Sequence, residues 1–287
     1  MTDRGGASSS FAGDVEFQKL LAGHGDVDLV RLMLEFAADA YPDLDRQPCL
    51  DEIDRLGSLA RRRLQRSSPT GLGLWRMLSE VSETLYAGEG FRGDSQTYYD
   101  PRNSYLNEVL ARRLGIPISL GIVYLAVAER AGLSMYGVGT PGHFMLGSDD
   151  ADETLYVDPF SQGTILDRGQ CQALIEQLLG KPGVLADDHF RPATELDIAT
   201  RVLRNLKVAY VMESQWAPVV PIQERLALLS PGNTDEGRDL GLMYLRTGRA
   251  AAAIGLLEKH LRHCTDAQAE ELQPYLRAAR RLAAELN

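Results

Sequence analysis

The 287-residue sequence predicts an α+β fold: a helical N-terminal layer, a core holding a small antiparallel sheet, and an all-α C-terminal array. Three observations carry this reading. Apolar residues recur at three- and four-residue spacing from about residue 14 to 90. The pattern then changes to one long apolar run at 115–133, followed by short β-like runs. Finally, residues 204–267 repeat with an offset of 34.

The N-terminal layer is carried by "VEFQKLLAGHGDVDLVRLMLEFAADAYPDLD", "CLDEIDRLGSLARRRL" and "GLWRMLSEVSETLYAGEGF", punctuated by Pro42 and the Gly-Leu-Gly at 71–73. "NSYLNEVLARRLG" (103–115) reads as a helix closed by Gly115. Ser119 fits the N-cap of an apolar helix over 120–131, which Gly132 ends. Strands are expected at 135–139, 143–147 and 154–158, separated by Gly, Pro and Asp clusters.

The repeat aligns Arg204 with Arg238, Leu206 with Leu240, Tyr210 with Tyr244, and Glu224 with Glu258. An offset of 34 is the period of the tetratricopeptide helix-turn-helix unit. Ala251 and Ala253 suit the small positions of close helix packing, and 267–286 reads as a capping helix. The domain reading is a disordered Gly/Ser-rich tail at 1–13, a core domain with its helical layer at 14–195, and tetratricopeptide-like repeats with a cap at 196–287.

Bulk properties narrow the function. The 30 Lys and Arg against 40 Asp and Glu give a net charge of −10, which argues against nucleic-acid binding. The basic run "ARRRLQR" (60–66) reads as a solvated helix face. There is no apolar run of about 18 residues, so neither a membrane span nor a membrane partner is expected. The start has no apolar core of signal-peptide length, and the cytoplasm is the expected compartment. Cys49, Cys171 and Cys264 are odd in number and far apart, which fits neither a disulfide framework nor a zinc site. No metal and no cofactor are expected. The sequence gives no oligomeric state.

The residues that bear chemistry are Ser119, His143 in "TPGHFML" and Asp158 in "LYVDPF". Neighbouring antiparallel strands can set a His and an Asp side by side at about 5 Å. The Asp then fixes the His tautomer, and the His faces the helix terminus, which is the nucleophile–base–orienter logic of a triad. Each residue also has a plain role: Ser119 as an N-cap, His143 as a structural histidine, Asp158 as a turn-former before Pro159.

The series "NSYLNEVL", "GIPISL", "PGHF" and "DPF", with "RVLRNLKVAY" beyond it, resembles the transglutaminase-like core, which shares a papain-like plan. More closely, it resembles the SirB-type family, which joins that domain to C-terminal tetratricopeptide repeats. The resemblance covers roughly residues 20–265. It implies His143 and Asp158 as the family's histidine and aspartate. Its nucleophilic cysteine would fall within 116–119, where this chain has Ile, Pro, Ile and Ser.

That departure has a physical consequence. A helix N-terminus and an imidazolium can lower a thiol from about 8.5 to roughly 3.5–7.5, giving a standing thiolate. A serine hydroxyl gains no such ionisation, so Ser119 would need His143 as a general base and an oxyanion hole. Asn103 or Asn107 is a candidate donor at a substrate site. Two readings follow. One is a protein- or peptide-binding module built on a cleft without the usual nucleophile. The other is a Ser–His–Asp hydrolase or acyltransferase acting on an amide or peptide. The weakness of the nucleophile favours the first.

Overall fold

A computed structural model describes residues 11–67, 73–151, 153–183 and 185–285. Most of the expected tail, residues 1–10, lies outside the described residues, as do 71 and 72 of the Gly-Leu-Gly break. The chain divides into two compact units, one of residues 25–202 and one that joins the N-terminal segment up to His24 to residues 203–287.

The first helices in chain order are α1 (Val15–Ala22), α2 (Leu29–Ala38), α3 (Gln47–Ser67) and α4 (Leu74–Ser82). Asp28 caps α2 by accepting the Arg31 N–H at 3.0 Å. α3 is amphipathic and buries Leu50, Ile53, Leu56, Gly57 and Ala60, while 61–63 stay exposed. The basic run is thus a solvated helix face. α4 runs on into a π turn at Glu83–Gly88.

Next come β1 (Arg92–Gly93), a 3-10 turn at Pro101–Asn103, α5 (Leu106–Arg112), β2 (Leu114–Gly115) and α6 (Pro117–Ala131). α5 is shorter than expected. Arg113, not Gly115, ends it, in the left-handed conformation at φ 60°. Gly115 instead pairs with Gly93 in a two-residue parallel ladder. The helix after it begins earlier than the Ser119 N-cap reading allows. Ile116 is the N-cap and Pro117 the first helical residue, so Ser119 stands at the third helical position. Gly132 closes α6 in the left-handed region, as expected.

α6 is buried along almost its whole length, from Pro117 to Ala128 apart from Leu125. α3 crosses it closely: a Cβ on Gly57 would sit 2.3 Å from the Arg130 Cβ. The sheet β3 (Tyr136–Val138), β4 (Met145–Asp149), β5 (Thr154–Asp158) and β6 (Thr164–Leu166) is antiparallel in sequential order. Val138 faces Met145, Leu146 faces Val157, and Asp158 faces Thr164. The fourth strand was not among those read from the sequence.

Both sheet faces are covered. Phe144 and Leu146 lie against Gly121 of α6. On the other face, Val138, Met145 and Tyr156 form a core with Phe190 and with Cys171 and Ile175 of α7 (Arg168–Leu179). This two-sided burial explains why β4 and β5 read as near-continuous apolar runs instead of alternating ones.

The C-terminal helices are α8 (Glu195–Met212), α9 (Trp216–Leu229), α10 (Thr234–Arg246), α11 (Ala250–Leu261) and α12 (Asp266–Glu285). α9 packs on α10, α10 on α11, and α11 on the long terminal α12. Ala253 is buried and Gly241 lies close to Leu257, with a built Cβ 2.8 Å from its Cδ2. Ala251, the other expected small position, is exposed. Residues 11–13, expected within the tail, take part in the fold. Phe11 is buried, and its carbonyl accepts the Asp14 N–H at 3.1 Å.

Ala128 is fully buried in α6, so Ala128→Asp puts an unpaired charge into the core. The expected loss is more than about 3 kcal/mol of unfolding free energy, measured by urea titration; a loss under about 1 kcal/mol would remove α6 as the central element.

Candidate functional site

His143 lies in the turn between β3 and β4, two residues before Met145 opens the strand. Gly142 takes φ 69° at the bend, a conformation that suits glycine. The His143 N–H donates to the Thr140 carbonyl at 3.3 Å, and Thr140 Oγ1 donates to the His143 carbonyl at 3.0 Å. Arg201 of α8 clamps the same turn, with Nη1 on the Thr140 carbonyl at 3.0 Å and Nη2 on the His143 carbonyl at 2.6 Å. Sequence reasoning missed Arg201. Its one legible signal was a charged residue inside the apolar spacing of "LDIATRVLRNLK".

Asp158 ends β5. Its Oδ1 lies 2.9 Å from His143 Nε2 and also accepts the backbone N–H groups of Phe160 at 2.9 Å and Ser161 at 3.3 Å. Burial opposes ionisation of this carboxyl. The hydrogen bond and charge of His143, together with the Ser161 and Phe160 donors, outweigh it and hold Asp158 below its ordinary value. An ionised Asp158 only accepts, so Nε2 carries the hydrogen between the two groups. The loop beyond Asp158 is fixed in turn. Tyr86 Oη donates to the Pro159 carbonyl at 2.8 Å and Ser82 Oγ to the Gly163 carbonyl at 2.9 Å.

An aromatic wall stands beside the imidazole. The Phe160 ring meets it edge-on at 6.4 Å, Tyr98 packs on Phe160 at 6.0 Å, and Tyr99 beyond is exposed. Burial pushes the Tyr98 phenol up, so it stays protonated near neutral pH.

The structure joins His143 to Asp158 but engages Ser119 elsewhere. Ser119 is 2% exposed. Its Oγ donates to the Asn103 carbonyl at 2.5 Å, lies 3.1 Å from the Ile116 carbonyl, and accepts the Ile116 N–H at 3.1 Å. Gly115 makes room for this: a Cβ there would sit 2.7 Å from Ser119 Oγ. The hydroxyl's one proton therefore goes to backbone. The Asn103 side chain is fully engaged as well. Its Nδ2 donates to Asp94 Oδ2 and the Thr97 carbonyl at 3.2 and 2.7 Å, and its Oδ1 accepts from Arg112 Nη1 at 3.2 Å. That network ties the 94–103 loop together. Asn107 differs, since its Oδ1 is buried with no hydrogen-bond partner.

Cys171 packs in the core under the sheet. Burial, with the Asp158 charge, pushes its thiol up to about 12, so it holds no thiolate near neutral pH. Among the described residues, no three His, Cys, Asp or Glu side chains cluster so as to hold a metal ion, and no helix is long and apolar enough to cross a membrane.

An apolar helix, a sheet packed on it and a buried His–Asp pair at the ends of its central strands define a transglutaminase-like domain, here joined to helical repeats. Residues 47–204 match the transglutaminase-like superfamily, to which the chain belongs, and residues 206–283 match the tetratricopeptide repeat. The chain is 34% identical to the UPF0162 protein of Xylella fastidiosa (strain Temecula1 / ATCC 700964) over 241 residues, 81% of this chain and 83% of the relative. It is 25% identical to the UPF0162 protein YchA of Escherichia coli (strain K12), covering 80% of this chain and 84% of that one. The F-box only protein 21 of Homo sapiens is 34% identical over 110 residues, 36% of this chain and 18% of that protein. No solved structure matches.

Two measurements probe this site. The lowered Asp158 carboxyl contributes stability that is complete above its unfolded value, about 3.9, and is lost as pH falls through the lower folded value. Asp158→Asn should flatten that acid limb in urea titrations between pH 5 and pH 3, and an unchanged slope would contradict the assignment. Native alkylation at pH 8 should modify Cys49 and Cys264, which are partly exposed, and leave Cys171 unmodified until denaturant is added.

Proposed function

We propose that this chain is a SirB-type transglutaminase-like protein of the bacterial cytoplasm whose cleft is not catalytic, and that it acts as a protein- or peptide-binding or regulatory module. One observation carries the reading: the Ser119 hydroxyl is buried and committed to the Asn103 and Ile116 backbone. Attack on a carbonyl needs a hydroxyl whose proton reaches a base. Here the proton is held by a peptide oxygen, and breaking that bond would leave buried polar groups unsatisfied. His143 and Asp158 then serve to fix the turn before β4 and the loop after β5. The tetratricopeptide match supports a binding role, because such repeats form extended concave surfaces.

The second reading, a Ser–His–Asp hydrolase or acyltransferase on an amide or peptide, is favoured by the 2.9 Å His143–Asp158 contact and the tautomer it fixes. Ser119 would have to leave the Asn103 carbonyl for His143 Nδ1, with Asn107 as a candidate donor to the oxyanion.

A fluorophosphonate probe separates the two. Wild-type protein should stay unlabelled, and Ser119→Ala should cost about 1–3 kcal/mol because it leaves the buried Ile116 N–H and Asn103 carbonyl only their long mutual bond of 3.4 Å. Labelling that disappears in Ser119→Ala would establish the hydrolase instead.

A further inference from the structure

Arg225 stands in α9 with none of its surface exposed. A guanidinium stays charged at any physiological pH, so burying one demands compensation. Part of that compensation comes from a short stretch at the other end of the chain. Asp14 Oδ2 accepts from Arg225 Nη2 at 2.6 Å. The guanidinium carbon lies 3.9 Å from the Phe11 ring centroid and 4.7 Å from that of Phe17, and those rings meet edge-on at 5.6 Å.

Phe11, Asp14 and Phe17 are spaced by three, which sets them on one side of a helical turn. The stretch is prepared for this. The Asp14 N–H donates to the Phe11 carbonyl at 3.1 Å, as does Gln18 Nε2 at 2.9 Å, and the Gln18 N–H bonds the Asp14 carbonyl at 2.9 Å. Asp14 and Arg225 are 211 positions apart, and residues 25–202, a compact unit of their own, lie between them. The connection 22–26 is exposed and contains Gly23 and Gly25. The stretch is thus a short helical segment, joined to the rest of the chain by an exposed connection, that brings its own acid and rings to one buried guanidinium.

We propose that Arg225 of the repeat unit is a recognition socket for a segment of the pattern Phe-x2-Asp-x2-Phe, and that residues 11–22 of this chain fill it as a displaceable intramolecular ligand. The acid supplies the charge-assisted bond and the two rings supply cation–π contact. An outside segment of the same chemistry enters only by displacing the chain's own. The inference rests on the part of the proposed function that gives the repeats a peptide-binding role.

The test uses the full chain and a fluorescent peptide of residues 11–22, read by anisotropy. Phe11→Ala/Phe17→Ala vacates the socket and should bind the peptide. Wild type should bind it at least about tenfold more weakly, since the tethered segment competes at high effective concentration. The same peptide with Asp14→Asn should lose at least about tenfold, and this change cannot disturb the fold of the receptor. Equal binding to wild type and the variant, or equal binding of the two peptides, would overturn the socket. If the double variant does not fold, a protease site inserted at 22–26 in the full chain replaces it. After cutting, the labelled peptide should exchange into the socket, and permanent retention of the native segment without exchange would overturn the proposal. Probe labelling at Ser119 would sink the non-catalytic reading of the cleft while leaving these peptide measurements untouched, and the reverse also holds.

Discussion

Burial of the α6 N-terminus is the constraint around which the core unit is arranged. The first turn of any helix carries donors without intrahelical partners, and here no solvent is near to satisfy them. The Ile116 N–H goes to Ser119 Oγ, the hydroxyl goes to the Asn103 carbonyl, and the Asn103 side chain is held by Asp94, Thr97 and Arg112. Each link works because the next is fixed. Burial opposes a charged Asp94, yet its bonds from Thr97, Asn103 and Gln96 keep the carboxyl below its ordinary value. The loop at 94–103 is therefore part of how a buried helix can begin, and the Ser119 hydroxyl is committed to that task.

The His143–Asp158 pair is built on the same principle at the ends of the central strands β4 and β5. Asp158 accepts three donors, and His143 is held by its ring and through its carbonyl, where Thr140 and Arg201 converge. A buried ion pair contributes little net stability once desolvation is counted, but it is costly to half-dismantle. Such a pair fixes geometry more than it adds stability. The pair by itself therefore does not mark catalysis.

How much of this was legible depended on which physical signal dominated each position. β4 and β5 were readable because covering on two faces gave the apolar stretches 144–146 and 155–157, and β6 was missed because Thr164–Leu166 is short and has no fully buried residue. The end of α5 was misplaced because Gly115 looked like a C-cap. The left-handed cap is Arg113, and Gly115 is small because Ser119 Oγ approaches it. The α6 start was legible in principle: Pro117 belongs at a first helical position, which puts the N-cap at Ile116 and turns Ser119 inward. The preference of serine for N-caps outweighed that signal in the sequence reading. His143 and Asp158 could be paired from strand order alone. Arg201 could not, because its partners are two backbone carbonyls, which carry no sequence signature.

The repeat unit shows what a period of 34 specifies and what it leaves free. The matched Glu224 and Glu258 keep one role, each accepting from an arginine further along: Arg249 Nη1 at 3.2 Å and Arg280 Nη2 at 2.7 Å. The matched arginines diverge, since Arg204 reaches Glu236 while Arg238 pairs with Asp235 and Asp239. Two units have end faces to cover, because each repeat buries its apolar side only against a neighbour. One cover is α12, whose Leu272, Leu276 and Ala279 pack apolar against Ala253 and Leu257. The segment 11–22 is different in kind, since it brings a carboxylate and two rings to one buried guanidinium. Apolar packing accepts many sequences of suitable volume. A buried charge accepts only its complement, so the N-terminal contact is selective in a way that α12 is not.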